Sequence, residues 1–244
     1  MLEWHDKGII LSVRKHGENG GIASILTENY GRTVGYVYGI TSNKKCGLFE
    51  IGNQVSARWH AKAQGQLGVF ELELERSMAA DVMDSPLKLT ALQSACSLID
   101  KTLAENEKHE GVFFATQTLI ESFAGDLWAP TYVYWEIGLL RELGFGLDLS
   151  HCVATGDTTE LIYVSPKSGC AVSAAAGKIY KDKLLNLPPF LRGEAGFDNE
   201  DILDGLKLTG YFLLNRVFSQ ANQDLPDARL RLEQKYKTVT PSEE

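Results

Sequence analysis

The stretch Phe70-Glu71-Leu72-Glu73-Leu74-Glu75 alternates apolar and acidic side chains residue by residue. Because successive side chains of a β-strand point to opposite faces, this alternation predicts a strand with one apolar and one solvated face. The segment Arg32–Gly39 follows the same period, with Val34, Tyr36 and Tyr38 on one face. These two segments indicate that the N-terminal part of the chain is built from strands.

Five predicted strands, separated by turn-forming residues, fill residues 7–76. They are Lys7–Arg14, Ile22–Thr27, Arg32–Gly39, Asn53–Ala61 and Gly68–Arg76. No helix long enough for a βαβ crossover lies among them, so we expect a small antiparallel barrel. The oligonucleotide/oligosaccharide-binding (OB) fold is the commonest five-stranded case, although an SH3-like barrel would give much the same pattern.

From Ser85 onward the apolar residues recur at helical spacing. Ser85-Pro86 can start a first helix, Pro130 can open a third that ends at Gly144, and Asp198 or Asn199 starts a last one. The tail after residue 237 is polar. We therefore predict an α+β chain with an OB-fold barrel in residues 1–80 and a helical bundle domain in 81–244. A zinc-knuckle-like insertion at 144–180 interrupts the bundle.

The insertion contains two cysteines 18 residues apart, Cys152 and Cys170, which suit the two halves of a zinc knuckle. A structural zinc site needs four ligands, usually from two C-x-x-C-like pairs. The remaining ligand positions hold Thr155, Ser173 and Ala176, and neighbouring His151 does not complete a tetrahedron. We therefore expect no bound metal, and no disulfide in a reducing compartment.

Charge and motifs restrict the classes of function. The 244 residues carry a net charge of −8, which excludes a uniformly basic nucleic-acid coat, but residues 14–62 carry seven Lys/Arg against three Asp/Glu. This asymmetry makes the predicted barrel the candidate anion-binding part. None of the common nucleophile, P-loop, metalloprotease or dinucleotide motifs is present, so we expect no enzyme. The sequence shows neither an apolar run of transmembrane length nor a signal peptide, and we expect a cytoplasmic protein.

Basic and aromatic residues are interleaved along the predicted barrel. Lysine and arginine can meet phosphates while aromatic rings stack on bases, as single-strand binding requires. Alternatively, the cations only solvate a small barrel and the aromatics fill its core. The aromatic residues are Tyr30, Tyr36, Tyr38 and Trp59, and His16 and His60 could add to an anion-binding face.

Several motifs, in order along nearly the whole chain, resemble the RecO family of bacterial recombination mediators. In the barrel they are Trp4–Leu11, the Arg14–Glu18 turn, Leu26-Thr27 followed by Gly31, Val37–Ile40 and Gly52–Val55. Further on they are Tyr134–Glu136, Leu139-Leu140, Leu143–Leu149 with Cys152, Tyr163–Gly169 and Leu187-Pro188. The most specific are G-F-G-L-D-L-x-x-C and the G-E turn.

The resemblance implies an N-terminal OB-fold, a helical domain and, in many members, a zinc-binding insertion. Such proteins are not enzymes. They bind single- and double-stranded DNA, anneal complementary strands and engage the acidic C-terminal tail of single-strand-binding protein. With RecR, and in some settings RecF, they help RecA onto coated single strands. Zinc-type members carry C-x-x-C-G and a second C-x-x-C; this chain keeps only Cys152 of that pattern, and small residues at Ser173 and Ala176 suggest packing in place of metal.

The resemblance favours the DNA-binding interpretation of the barrel. The expected DNA track consists of Arg14, Lys15, Arg32, Lys44, Lys45, Arg58, Trp59 and Lys62. The alternative is a non-catalytic interaction module that recruits repair partners with only incidental DNA contact. In that case the acidic remainder of the chain would matter more than the barrel.

Overall fold

Strand β1, Leu2–His16, is the longest of the five strands with which the chain begins. The computed structural model describes residues 2–42, 46–63, 65–78 and 82–239. The other strands are β2 (Gly20–Thr27), β3 (Gly31–Tyr38), β4 (Gln54–Ala61) and β5 (Gly68–Arg76). They form a closed barrel in the order β1-β2-β3-β5-β4. The predicted five-stranded OB-type barrel is confirmed.

The length of β1 reflects two pairings. Its first half, from Leu2 to Ile9, lies antiparallel to β4, and its second half, from Gly8 to His16, lies antiparallel to β2. A register shift between Ile10 and Ser12 marks a bulge at the changeover, and bulges sharpen the twist that lets one strand serve two neighbours. The strand was predicted to begin only at Lys7, so that prediction missed the half that pairs with β4.

A short parallel pairing between β3 and β5 closes the barrel, with Gly35 opposite Gly68. A Cβ atom at Gly35 would collide with the Phe70 ring, and one at Gly68 with the Trp59 indole. Glycine at both positions therefore allows the two strands to meet over the packed rings. The side chains inside the barrel belong to Ile10, Ala23, Ile25, Val37, Val55, Ala57 and Phe70.

Helices α1 (Pro86–Thr102) and α2 (Glu110–Ser122) complete the first compact unit, residues 1–124, called here the barrel unit. Ser85 caps α1 by accepting a hydrogen bond from the Lys88 N–H at 3.4 Å, and Pro86 is its first residue, as predicted. Helix α1 packs against β1. The contacts thus group α1 and α2 with the barrel, and the domain boundary after residue 80 stays a prediction.

The second compact unit, residues 125–244, is called here the helical unit. It contains the helices α3 (Trp128–Glu142), α4 (Ala174–Gly177), α5 (Asn199–Phe212) and α6 (Asp227–Val239). The strands β6 (Leu161–Val164), β7 (Ala171–Ser173) and β8 (Leu185–Asn186) form a small sheet in the order β7-β6-β8. Within the described residues no helix is long and apolar enough to cross a membrane.

The ends of these helices follow local chemistry. Gly144 adopts a φ of +84° after α3, and the Phe145 N–H donates to the Leu140 carbonyl at 2.8 Å, which stops the helix as predicted. Asp198 and Asp201 form a reciprocal capping box at the start of α5. Helix α6 was not predicted. Its start lies within a polar stretch that the sequence interpretation left without a helix.

Candidate nucleic-acid interface

The outer face of β1, β2 and β3 presents two rows of side chains. Arg14 lies opposite Ile22, which lies opposite Tyr36. In the next row His16 lies opposite Gly20, which lies opposite Tyr38. Directly opposed side chains in antiparallel strands are near neighbours. Basic and aromatic groups are therefore adjacent on this surface, which we call the β1–β3 face.

Tyr36 lies across Gly20. A Cβ atom at Gly20 would occupy the position of the tyrosine ring, so only glycine leaves room for it. The Tyr36 ring packs edge-to-face against His16 at 6.3 Å and against Tyr38 at 4.7 Å between ring centroids. Tyr38 is 63% exposed. The face thus has an ordered aromatic surface that remains open to solvent.

Arg14 borders these rings in the row of Tyr36, and Lys15, the next residue of β1, is exposed as well. Arg14 lies 3.8 Å from the Asp100 carboxylate of α1, yet 74% of its side chain is accessible. The chain that leaves β3 returns to the same end of the barrel, where the Gly39 N–H donates to the Asn19 carbonyl at 2.7 Å. This contact brings the segment up to Ser42 close to the β1–β2 turn. Lys44 and Lys45, also in the predicted track, lie outside the described residues.

Arg32 holds α1 against the barrel. Its side chain is only 14% exposed, forms ion pairs with Asp100 at 3.5 Å and Glu105 at 3.3 Å, and donates to the Leu103 carbonyl at 2.8 Å. Asp100 also accepts a hydrogen bond from the Ser12 hydroxyl at 3.0 Å. An arginine committed to two carboxylates and a carbonyl has few donors left for a phosphate.

Arg58 lies on a different, acidic part of the barrel. It forms ion pairs with Glu3 at 2.6 Å and Glu71 at 3.2 Å. The hydrogen bond with Glu3, together with the charges of Glu3 and Glu71, raises the pKa of Arg58 above its ordinary value. Glu73 and Glu75 follow on the same strand as Glu71, and Glu75 is exposed. The local field here disfavours a polyanion.

Trp59 belongs to an aromatic stack at the end of the barrel. The Trp4 ring lies between Tyr30, at 4.4 Å, and Trp59, at 5.6 Å, with interplanar angles of 10° and 14°. A cavity of about 550 Å³ opens beside the stack. Lys62 is exposed just beyond β4. The structure therefore brings Arg14 together with Tyr36 and Tyr38, leaves Lys15 exposed next to Arg14 along β1, and places Arg58, Trp59 and Lys62 elsewhere on the barrel.

The aromatic residues of the β1–β3 face were absent from the predicted track. The alternation of Val34, Tyr36 and Tyr38 placed them on one strand face, but the sequence did not show that this face lies beside Arg14 and His16. That proximity depends on the pairing of β2 with both β1 and β3. Glycine at position 20, in the row of His16 and Tyr38, was the one local signal.

The cysteine of the knuckle-like insertion, Cys152, is surrounded by hydrogen-bond donors. The Cys152 sulfur is buried and accepts a hydrogen bond from the Ser173 N–H at 3.3 Å. Burial raises the pKa of this thiol, but hydrogen bonds from the Ser173 and Thr155 hydroxyls and from the N–H groups of Ser173 and Ala154 outweigh it and lower the pKa to about 6. Hydroxyl groups thus stand beside the sulfur where a zinc site would need further thiolates.

A donor set of one thiolate and two hydroxyls does not fit a structural zinc ion. Among the residues that the structure describes, no three His, Cys, Asp or Glu side chains are grouped so that they could hold a metal ion. The absence of zinc remains a prediction for direct elemental analysis.

Comparison with known proteins identifies the family. The Recombination protein O N-terminal model matches residues 1–77, and the C-terminal model matches residues 83–224. A DNA repair protein RecO of Rhodospirillum centenum is 47% identical over 97% of this chain and 95% of its own length. RecO proteins of a Caulobacter species (strain K31) and of a Jannaschia species are 43% and 40% identical, each over 95% of this chain and at least 95% of their own lengths. The chain belongs to the RecO family, whose role is in DNA repair and recombination.

Proposed function

We propose that this chain is a non-catalytic recombination mediator that binds single- and double-stranded DNA through the β1–β3 face of its barrel. It anneals complementary strands and helps load RecA onto strands coated by single-strand-binding protein. It does so with RecR, and in some settings RecF, while engaging the acidic tail of single-strand-binding protein. The site of action is the bacterial cytoplasm, at the nucleoid.

The observation that carries the proposal is the grouping of the exposed Arg14 with the rings of Tyr36 and the exposed Tyr38, with Lys15 exposed next to Arg14 along β1. Exposed cations can neutralise phosphates, and an open tyrosine face can stack on any unpaired base. Such contacts are tolerant of sequence, as an annealing protein requires. Lys44 and Lys45, which follow Ser42 in the sequence, extend the proposed track.

Arg32 and Arg58 receive no phosphate in this proposal, because carboxylates already hold both side chains. Their role is to join barrel elements: Arg32 fixes α1, and Arg58 bridges β1 and β5 across β4. The proposed track is therefore narrower than the one based on composition alone.

The test is a fluorescence-anisotropy titration of a labelled oligo-dT at several salt concentrations. Arg14→Ala with Lys15→Ala removes two phosphate contacts, so the slope of log K against log salt should fall by about 1.4 in magnitude for single strands. A matched control, Lys7→Ala with Lys108→Ala, removes two exposed cations of the same unit that lie outside the two rows of the β1–β3 face. Equal slopes for the two double variants would contradict this assignment.

The loop and the annealing activity need their own measurements. Lys44→Ala with Lys45→Ala should lower the same slope by a similar amount, and an unchanged affinity and slope would exclude the loop from the track. Annealing of complementary oligonucleotides coated with single-strand-binding protein should be slowed by Arg14→Ala with Lys15→Ala and not by the control. If the wild-type protein binds no DNA and anneals no strands, the interaction-module alternative is correct.

A further inference from the structure

The segment Lys178-Ile179-Tyr180-Lys181-Asp182-Lys183 follows α4 in the helical unit, and every one of its six residues is exposed. Ile179 is 79% exposed and Tyr180 is 56% exposed. Large apolar side chains that lie next to each other in water, bordered by polar residues, are typical of a contact surface. We call this segment the 178–183 ridge.

The ridge is held in one conformation by consecutive tight turns. The Tyr180 N–H donates to the Gly177 carbonyl at 2.8 Å, and the Lys183 N–H donates to the Tyr180 carbonyl at 2.8 Å. At its base, Gly177 is buried against the Tyr163 ring, where a Cβ atom would not fit. Exposure of the apolar pair is therefore built into the fold, because the backbone around the pair is anchored.

The charge of the ridge is opposite to that of its surroundings. Residues 125–244 carry twelve Lys/Arg against seventeen Asp/Glu, a net charge of −5, whereas the ridge carries three lysines against one aspartate, a net charge of +2. Within the part of the chain that the structure describes, none of these three lysines forms an ion pair of 4.0 Å or less. Three exposed cations beside an exposed ring repeat the chemistry of the β1–β3 face in a separate part of the chain.

We propose that the 178–183 ridge is a second contact for single-stranded DNA, in which Lys178, Lys181 and Lys183 meet phosphates and Tyr180 stacks on a base. This inference rests on the proposed DNA-binding function. Two separate contacts would let one molecule hold two segments of strand, which annealing exploits.

An acidic peptide is the competing occupant, and the shape of the ridge argues against it. A peptide anchors its apolar side chains in a groove or adds a strand to a sheet edge. A ridge with six exposed residues offers neither, whereas stacking on a base needs only an open ring face. The observations therefore favour a nucleic acid.

The experiment uses the full chain, labelled oligo-dT and the salt titration described above. Lys181→Ala with Lys183→Ala should lower the slope of log K against log salt by about 1.4 in magnitude. Lys167→Ala with Lys207→Ala removes two exposed lysines elsewhere in the helical unit and should leave the slope unchanged. Equal slopes for these two double variants would overturn the proposal.

The stacking contact has a separate readout. Tyr180→Ala should weaken binding by about 5-fold or more without changing the salt slope, and Tyr180→Phe should restore it because the ring is kept. Circular dichroism of each variant checks that loss of binding does not come from unfolding. If Tyr180→Phe is as weak as Tyr180→Ala, the ring does not stack and the proposal is wrong.

The outcomes also separate this inference from the proposed function. If the wild-type protein binds DNA and only the Arg14→Ala, Lys15→Ala variant lowers the salt slope, the β1–β3 face is supported as a DNA contact. The 178–183 ridge is then excluded as one. If the ridge variants keep full DNA affinity but lose binding of a labelled peptide of alternating Asp and Leu, the ridge is a peptide site and the DNA assignment is overturned. If the wild-type protein binds no DNA, both proposals fail.

Discussion

Removal of Arg229 should destabilise the helical unit more than any other single truncation on α6. Both Arg229 and its partner Glu136 are fully buried. The guanidinium donates to the two Glu136 carboxylate oxygens at 2.5 and 3.1 Å, and to the Leu206 carbonyl at 2.6 Å. Although burial opposes its charge, the Glu136 carboxylate raises the pKa of Arg229, so the arginine stays charged.

The magnitude follows from what Arg229→Met leaves behind. Glu136 would keep only hydrogen bonds from the Tyr132 and Thr209 hydroxyls, with no compensating charge inside the helical unit. Breaking a buried ion pair by removing one partner costs about 3–5 kcal/mol. With a urea m-value of roughly 2 kcal/mol per molar for a unit of this size, the unfolding midpoint should fall by about 1.5–2.5 M.

Replacing both members of the Glu136–Arg229 pair should destabilise the helical unit less than replacing Arg229 alone. Glu136→Met with Arg229→Met removes both charges and also the hydrogen bond from the Tyr132 hydroxyl to Glu136, a loss of roughly 1–3 kcal/mol. The double variant should therefore be more stable than Arg229→Met, which a thermodynamic cycle of the four proteins would show.

Urea unfolding can be followed by tryptophan fluorescence in a Trp4→Phe, Trp59→Phe background, which leaves Trp128 and Trp135 in the helical unit as reporters. A loss below about 1 kcal/mol for Arg229→Met, or a double variant as unstable as the two single losses combined, would refute this reasoning.

Three further predictions concern the knuckle and the β1–β3 face. Because the pKa of Cys152 is about 6 in the folded chain and about 8.5 in an unfolded one, its thiolate should add stability that is complete above pH 8.5 and lost as pH falls through 6. The melting temperature of Cys152→Ser, measured between pH 5.5 and 9, should lack this rise in stability with pH. Identical pH profiles for the variant and the wild-type protein would exclude the stabilising thiolate. Elemental analysis should find no stoichiometric zinc and chelation should not lower the melting temperature; about one zinc per chain would overturn the ligand argument. Gly20→Ala should cost roughly 1–3 kcal/mol by displacing the Tyr36 ring, and Tyr36→Ala added to it should recover part of that loss in the melting temperature.

The sequence predicted those elements whose signal is local. Alternation over six to eight residues marked β3 and β5, and the Ser85-Pro86 start and Gly144 stop marked α1 and the end of α3. Each of these features depends on neighbours within a few residues. The closure of the barrel followed only by analogy with known five-stranded barrels.

Helix α6 shows why the rest was missed. Its buried side chains Ala228, Leu232 and Tyr236 recur every four residues, but the charged residues between them hide the stripe. Arg229 is wholly buried because of Glu136, which is 93 positions away in the sequence. A count of charged residues in the sequence does not distinguish such a buried arginine from a surface cation.

The predicted DNA track groups cations whose surroundings in the fold differ, for the same reason. Whether a lysine or arginine is available depends on carboxylates that folding brings to it. Arg32 meets Asp100 from α1, and Arg58 meets Glu71 from the neighbouring strand. Local charge balance therefore identified the barrel as the candidate, but it did not separate exposed cations from those held by carboxylates.

The insertion explains how a knuckle can keep its shape with one cysteine of the zinc pattern. In a zinc knuckle a single ion links two turns. Here backbone hydrogen bonds link them: the Asp148 N–H donates to the Gly169 carbonyl at 3.0 Å, the Ala171 N–H returns to Asp148 at 2.8 Å, and the Val153 N–H donates to Ala171 at 2.9 Å. Each such bond contributes on the order of 1 kcal/mol net, so the three together approach the contribution of a modest cross-link. Since the linkage is distributed over the backbone, no single side chain is indispensable, and loss of the Cys152 sulfur should alter the pH dependence of stability without unfolding the insertion.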